Sequence, residues 1–288
     1  CHSHFQLGTV SALYLKMTGS VRHAIRTAHI AFEWEKGWYG WLRQQLFSKW
    51  IFPIFLDAEI DVSQAIVEGI QQYPGVKLSK HYPILIYNAI PLDSLVDQKY
   101  SGSFSHDKKD RIIGTAGRLA EQKGHTYLLK AVKEALHVIP NLECWIIGDG
   151  ELRPQLEKEA IQLNLSGHVY FLGKRNDVFN LLRQMDLFVL PSLWEGLPTV
   201  LMESMVCKTP ILATDIPGVR EIIENQVNGW LVPPKDAHRL SESMLALLDN
   251  TEERSRLTQN AYQSLERFSM RRISGQYQAL YRSMVQFG

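Results

Sequence analysis

The residues best placed to do chemistry lie in a few short stretches, each following an apolar run of strand length. Gly117-Arg118-Leu119-Ala120-Glu121-Gln122-Lys123-Gly124 follows the run Arg111–Ala116 and precedes a helical pattern. A glycine turn at the carboxyl end of a parallel strand is where α/β folds bind ligands. The next helix aims its amino terminus, with free backbone amides, at the same place. Arg118 and Lys123 bracket the turn, and two cations with free amides suit a diphosphate; the alternative is two surface charges in a loop. The second stretch runs from Leu190 to Met205 and carries Glu195, Gly196, Pro198 and Glu203. Gly196 reads as a tight turn and Pro198 as the first turn of a helix. Glu195 then lies in the loop, and Glu203 sits about 7.5 Å along the helix from Pro198. An ionised carboxylate accepts hydrogen bonds through both oxygens, which suits a vicinal diol such as ribose. Two other readings stay open: an exposed acid beside one that stabilises its own helix start, and the acid/base pair of a glycosidase.

Gly148-Asp149-Gly150 resembles a dinucleotide fingerprint only superficially, because the third glycine is missing. It reads as a strand-to-helix turn, with Asp149 helping to cap a helix at Glu151. His29 ends the apolar run Ala24–Ala31 and, taken alone, reads as a structural histidine. Cys1, Cys144 and Cys207 are far apart and form no CxxC, so neither a disulfide framework nor a zinc site is expected. With no HExxH motif or DxD pair, the expectation is no metal and no cofactor.

These stretches need a scaffold, and the alternation of runs supplies one. Downstream of residue 110 the strand-length runs are Arg111–Ala116, Leu142–Ile147, Val169–Phe171, Leu187–Leu190, Ile211–Ala213 and Trp230–Val232. Helical patterns separate them; Leu128, Leu129, Val132, Ala135 and Leu136 share one face. Continuous apolar strands alternating with helices imply a parallel sheet covered on both faces. The tail adds helical segments at Ala237–Leu248, Glu252–Phe268 and Ile273–Met284. Upstream only three strand candidates appear, Ala24–Ala31, Ala58–Val62 and Pro83–Tyr87, with helices near Thr9–Met17, Trp38–Trp50 and Ser63–Gln71. The polar stretch Ser101–Asp110 reads as a linker.

Composition sets the outer limits. The chain has 288 residues, 45% of them hydrophobic, which fits a globular protein of about two domains. Thirty-one Lys plus Arg against thirty Asp plus Glu leave a formal charge of +1, too little for binding nucleic acid through bulk charge. No run reaches the roughly 18 apolar residues of a membrane span. Four of the seven tryptophans lie between Trp34 and Trp50, among Arg43 and Lys49; an interfacial helix and a buried core helix both fit.

With those motifs in place, the chain resembles the retaining nucleotide-sugar glycosyltransferases of the GT-B fold, the group 1 family (family 4). The resemblance is densest from Ile112 to Val232, through GRLAEQKG, IIGDGELR, the PSLWEGLPTVLMESM block with its E-x7-E pair, ATDIPGVREII and NGWLVP. It implies an α/β protein of GT-B type, with two Rossmann-like domains facing a cleft. Residues 1–100 would be the acceptor-side domain, 101–110 the linker, 111–270 the donor-binding domain, and 271–288 a helix crossing back to the first domain. Family members open with strand, Gly-rich loop and helix, and reach a segment like Cys1-His2-Ser3-His4 only after three strands. The first domain is therefore expected to be truncated.

The resemblance also implies roles. Arg118 and Lys123, beside Gly117, would bind the donor diphosphate and stabilise the leaving charge. Glu195 and the backbone of Gly196, Leu197 and Pro198 would contact the donor sugar, and Glu203 the ribose. Gly173, Lys174 and Arg175 would line the nucleobase pocket, and His29 would face the sugar. Asn88 is followed by Ala89 where the family commonly has Gly. The implied activity is retaining, metal-independent hexosyl transfer in bacterial cell-surface polysaccharide, lipopolysaccharide or glycolipid synthesis. The expected partners are a UDP- or GDP-linked sugar and a saccharide or lipid-linked saccharide acceptor, with no nucleic acid. The expected location is the cytoplasm, with peripheral contact at the inner face of the cell membrane. The competing expectation is a non-catalytic nucleotide-sugar-binding fragment, inactive because its acceptor domain is incomplete.

Overall fold

The computed structural model describes residues 1–4, 6–29, 42, 44–72, 74–78, 83–92 and 111–286. The chain forms two compact units: Cys1–Ala89 with Met270–Gly288, and Ile90–Ser269. The expected linker Ser101–Asp110 and the expected helix start at Trp38 lie outside the described residues.

The first unit holds a parallel sheet of β1 (His2–Ser3), β2 (Ile25–Ala28), β3 (Ala58–Asp61) and β4 (Ile84–Leu85), in that order. Three strands were legible from the sequence; the fourth, β1, has only two residues, too few for any periodicity to show. Its register is fixed by pairing, His2 opposite Ile25 and Ser3 opposite Arg26. Helix α1 (Gln6–Met17) joins β1 to β2. Helix α2 (Gln64–Gln71) follows β3 and begins where the Ser63 hydroxyl accepts from the Ile66 amide at 3.2 Å, a side-chain N-cap. Residues Gln44–Ile51 wind as a π-helical segment into a short helix at Phe52–Phe55.

The second unit is a six-stranded parallel sheet, ordered β10-β9-β8-β5-β6-β7. The strands are β5 (Arg111–Ala116), β6 (Leu142–Ile147), β7 (Val169–Gly173), β8 (Leu187–Leu190), β9 (Ile211–Thr214) and β10 (Trp230–Val232). The order reverses between β5 and β8, so the loops after these two strands leave in opposite directions and open a crevice. Helix α3 (His125–Ala135) buries Leu128, Leu129, Val132 and Ala135 completely. They share a core with Leu240, Met244, Leu247 and Leu248 of α6 (Ala237–Asp249) and with strand residues Ile113, Ile146 and Val189. Each buried Leu, Ile, Val or Met side chain contributes about 1.5–3 kcal/mol relative to an exposed one. Between them in sequence lie α4 (Arg153–Gln162) and α5 (Thr199–Val206).

Two local expectations are corrected. The helix after β6 begins at Arg153 instead of Glu151, and Asp149 does not cap it: its Oδ1 accepts from the Gly150 amide at 2.8 Å. The segment Glu252–Phe268 is not one helix; α7 (Thr251–Ser264) gives way to a 3-10 turn at Leu265–Phe268. The last helix, α8 (Met270–Gln286), belongs to the first unit. It packs Ile273, Tyr277, Leu280 and Met284 on a cluster of Ile25, Ala58, Ile60 and Ile86. That 273, 277, 280, 284 spacing is one helical stripe, which is what the sequence pattern offered. No described helix is long and apolar enough to cross a membrane.

Candidate functional site

The candidate site lies at the carboxyl ends of β5, β6, β8 and β9. Beyond β5 and β6 the sheet ladder continues into the loops, with the Gly117 amide donating to Ile147 O at 2.9 Å and the Gly148 amide to Gly173 O at 2.8 Å. The loops pack so closely that two glycines are obligatory. Gly148 has φ +126°, and a Cβ there would sit 1.9 Å from Gly117 O. A Cβ on Gly150 would lie 2.5 Å from Leu119 O. The Gly-Asp-Gly sequence is thus explained by backbone meeting backbone. Gly117, Arg118, Gly148, Asp149, Gly150 and Lys174 line a cleft of about 600 Å³. Asp149 and its two glycines thus line the cleft, beyond the plain turn that their sequence predicts.

The cations flanking the turn differ in setting. Arg118 is exposed and pairs with Glu151 at 3.1 Å, a surface contact of the kind worth roughly 0–1 kcal/mol and readily exchanged for a ligand. Lys123 is largely buried, and its Nζ donates to Glu195 Oε1 at 2.6 Å. The two residues come from the loops after β5 and β8, on either side of the point where the strand order reverses. Other contacts lock the same loops together. The Leu193 amide donates to Gln122 O at 2.7 Å. Gly124, at φ +62°, leaves no room for a Cβ, which would meet Pro191 O at 2.1 Å. From the third side, a Cβ on Gly218 would meet Gly196 O at 2.2 Å and Glu195 O at 2.6 Å. Gly196, Leu197 and Pro198 are buried within this wedge, and Pro198 is the N-cap residue of α5.

Glu203 lies in the second turn of α5 and is partly buried, and that desolvation raises its pKa above the ordinary glutamate value. In the 173–175 loop, Gly173 takes φ +68°. Lys174 reaches the cleft, whereas Arg175 makes a two-pronged contact with Asp177 at 2.8 and 2.6 Å. That contact holds the Asp177 carboxyl below its usual range. His29 belongs to the first unit, in the bend after β2. Its Nε2 lies 3.3 Å from His4 Nδ1, and the His4 ring stacks on His2 with centroids 4.7 Å apart. Burial, aided by His4 and His29, pushes the His2 imidazole down to about 4.

His125 opens α3 directly after Gly124 and is 2% exposed. Burial, with the Lys123 charge second, pushes its imidazole down to about 4. The unfolded chain therefore takes up a proton first as pH falls. The stability this neutral histidine contributes is intact above about pH 6.5 and is lost between about 6.5 and 4, roughly 3 kcal/mol in all. Thermal unfolding followed across that window should show a steep fall for the wild type and a flatter one for His125→Leu; parallel profiles would refute the assignment.

Two parallel α/β units, the larger with its loops gathered at a switch point, define a protein of GT-B type. The chain belongs to the glycosyl transferases group 1 family, whose family model matches residues 96–264. It is 32% identical over 156 residues to an Escherichia coli UDP-Gal:alpha-D-GlcNAc-diphosphoundecaprenol alpha-1,3-galactosyltransferase, covering 50% of this chain and 40% of that one. It is 31% identical over 167 residues to the lipopolysaccharide core biosynthesis glycosyltransferase LpsE of Rhizobium meliloti, covering 58% and 48%. The chain spans half or less of the length of these and two other curated relatives, 36–50%. Among solved structures it superposes on Anabaena HepE in complex with UDP-glucose with a TM-score of 0.83 at 22% identity, over 98% of this chain and 78% of that one, a likeness of fold.

Proposed function

We propose that the protein transfers a hexose-type sugar from a UDP- or GDP-linked donor to an acceptor hydroxyl, with retention and without a metal. The observation that carries this reading is the Lys123–Glu195 pair at the switch point, flanked by the exposed Arg118. An ammonium has three protons. Lys123 uses one on Glu195, and the others remain for phosphate oxygens. As the anomeric C–O bond breaks, negative charge gathers on the departing diphosphate. Arg118 and Lys123 supply fixed positive charge there, and one such donor is worth about 10²–10³ in rate. Gly117 belongs with the diphosphate, and Gly173, Lys174 and Arg175 with the nucleobase. Glu203 takes the ribose hydroxyls, and Glu195 with the backbone of Gly196, Leu197 and Pro198 takes the sugar. A glycosidase is disfavoured, because hydrolysis of a neutral glycoside has no use for phosphate-facing cations.

Relatives whose names specify diphosphoundecaprenol-linked acceptors or lipopolysaccharide core support a saccharide or lipid-linked saccharide acceptor. The test is a panel of UDP- and GDP-sugars incubated with the intact protein and read by release of UDP or GDP. Turnover of at least one donor, dependent on acceptor and persisting in EDTA, is expected. No turnover together with tight donor binding would favour the competing reading, a non-catalytic nucleotide-sugar-binding protein.

A further inference from the structure

The carboxylate of Glu195 is more tightly committed than a simple ion pair requires. Its side chain is 7% exposed, and its Oε1 accepts from two donors, Lys123 Nζ at 2.6 Å and Ser192 Oγ at 2.6 Å. A carboxylate oxygen has two lone-pair sites, so Oε1 is fully occupied. Oε2 accepts from Gln122 Nε2 at 3.2 Å, which leaves it one site. Ser192 is itself fully buried, and its carbonyl accepts from the Thr214 hydroxyl on β9. Gln122 Nε2 also donates to Trp194 O at 2.9 Å, and its own carbonyl receives the Leu193 amide. The Gln122 amide is therefore tied to the backbone of the opposite loop as well as to Glu195, and the Ser192 backbone is tied to β9.

We propose that Ser192 and Gln122 are positioning residues that hold Glu195 with a single acceptor site, on Oε2, open to the donor, so that it reads one sugar hydroxyl instead of bridging two. This deepens the donor-sugar role given to Glu195 above and rests on that reading. The site then distinguishes sugars by whether one particular hydroxyl points at Oε2. A donor lacking that hydroxyl, or carrying it in the opposite configuration, leaves a buried acceptor unmet, which discriminates far better than a missing apolar contact. Ser192→Ala frees one site on Oε1 and lets the carboxylate turn about its last torsion.

The experiment titrates UDP, UDP-glucose and UDP-galactose, and GDP, GDP-mannose and GDP-glucose, into the intact protein and its Ser192→Ala and Gln122→Leu variants by calorimetry. Thermal unfolding confirms that each variant is folded. In the wild type, one sugar within a base series should bind about tenfold or more tighter than its epimer. In Ser192→Ala that preference should shrink several-fold while affinity for the bare nucleotide stays unchanged, and Gln122→Leu should behave alike. Equal loss of sugar-linked and bare nucleotide would overturn the proposal, as would an undiminished preference or a wild type blind to epimers. Failure of the wild type to bind either bare nucleotide would instead overturn the donor-site reading beneath it.

Discussion

Lys123→Ala should lower transfer from the donor by about 10²–10³, the loss expected when one preorganised charge at a leaving diphosphate is removed. It should also cost stability, because Lys123 is the cationic partner of a carboxylate only 7% exposed. Removing one member of a fully buried pair costs roughly 3–5 kcal/mol. Here the lysine keeps 17% exposure and Glu195 retains Ser192 and Gln122 as donors, so the cost falls at or below the lower end of that range. Thermal unfolding separates the two effects: the rate should stay low at temperatures where Lys123→Ala is fully folded. Wild-type turnover by the folded variant would mean that Lys123 takes no part in stabilising the leaving diphosphate.

Glu203→Gln should weaken binding of UDP or GDP by about tenfold to a hundredfold, the value of hydrogen bonds to a charged acceptor. The amide keeps one acceptor oxygen and presents a donor where the second oxygen stood, so it cannot take two ribose hydroxyls. Burial raises the pKa of Glu203, so the carboxylate is lost at a higher pH than for an exposed glutamate. Nucleotide affinity should accordingly decline on acidification before exposed glutamates titrate, and the decline should be absent in Glu203→Gln. Measuring Kd against pH for both proteins checks this; the same slope in each would remove Glu203 from the ribose site.

The larger sheet was legible because its central strands β5, β6, β8 and β9 are almost wholly buried and read as largely apolar runs. Arg111–Ala116, Leu142–Ile147 and Leu187–Leu190 have the same bounds in structure as in sequence. The first unit was less legible because β1 and β4 have two residues each, and their identity comes from pairing with β2 and β3. Within the site, charge and spacing marked Arg118, Lys123, Glu195 and Glu203. They did not show that Lys123 and Glu195 bond to each other, since a contact across 72 residues depends on the reversal of strand order. Ser192 and Gln122 lie inside the PSLWEGLPTVLMESM and GRLAEQKG motifs, but a serine and a glutamine have no evident role of their own until the partner carboxylate is placed. The role of Gly148 was hidden for a related reason, because the atom it makes room for, Gly117 O, lies on another strand's loop.

The central claim is that the loops at the carboxyl ends of β5, β6 and β8 hold a nucleoside diphosphate. Arg118 offers the cleanest probe, since its side chain is 72% exposed and its change to alanine disturbs no core. Calorimetric titration of UDP and of GDP into wild type and Arg118→Ala measures the claim directly. Saturable one-site binding of at least one nucleotide is expected, weakened about tenfold or more in the variant, with an unaltered unfolding temperature. Equal affinity of the two proteins, or binding of neither nucleotide to the wild type, would contradict it.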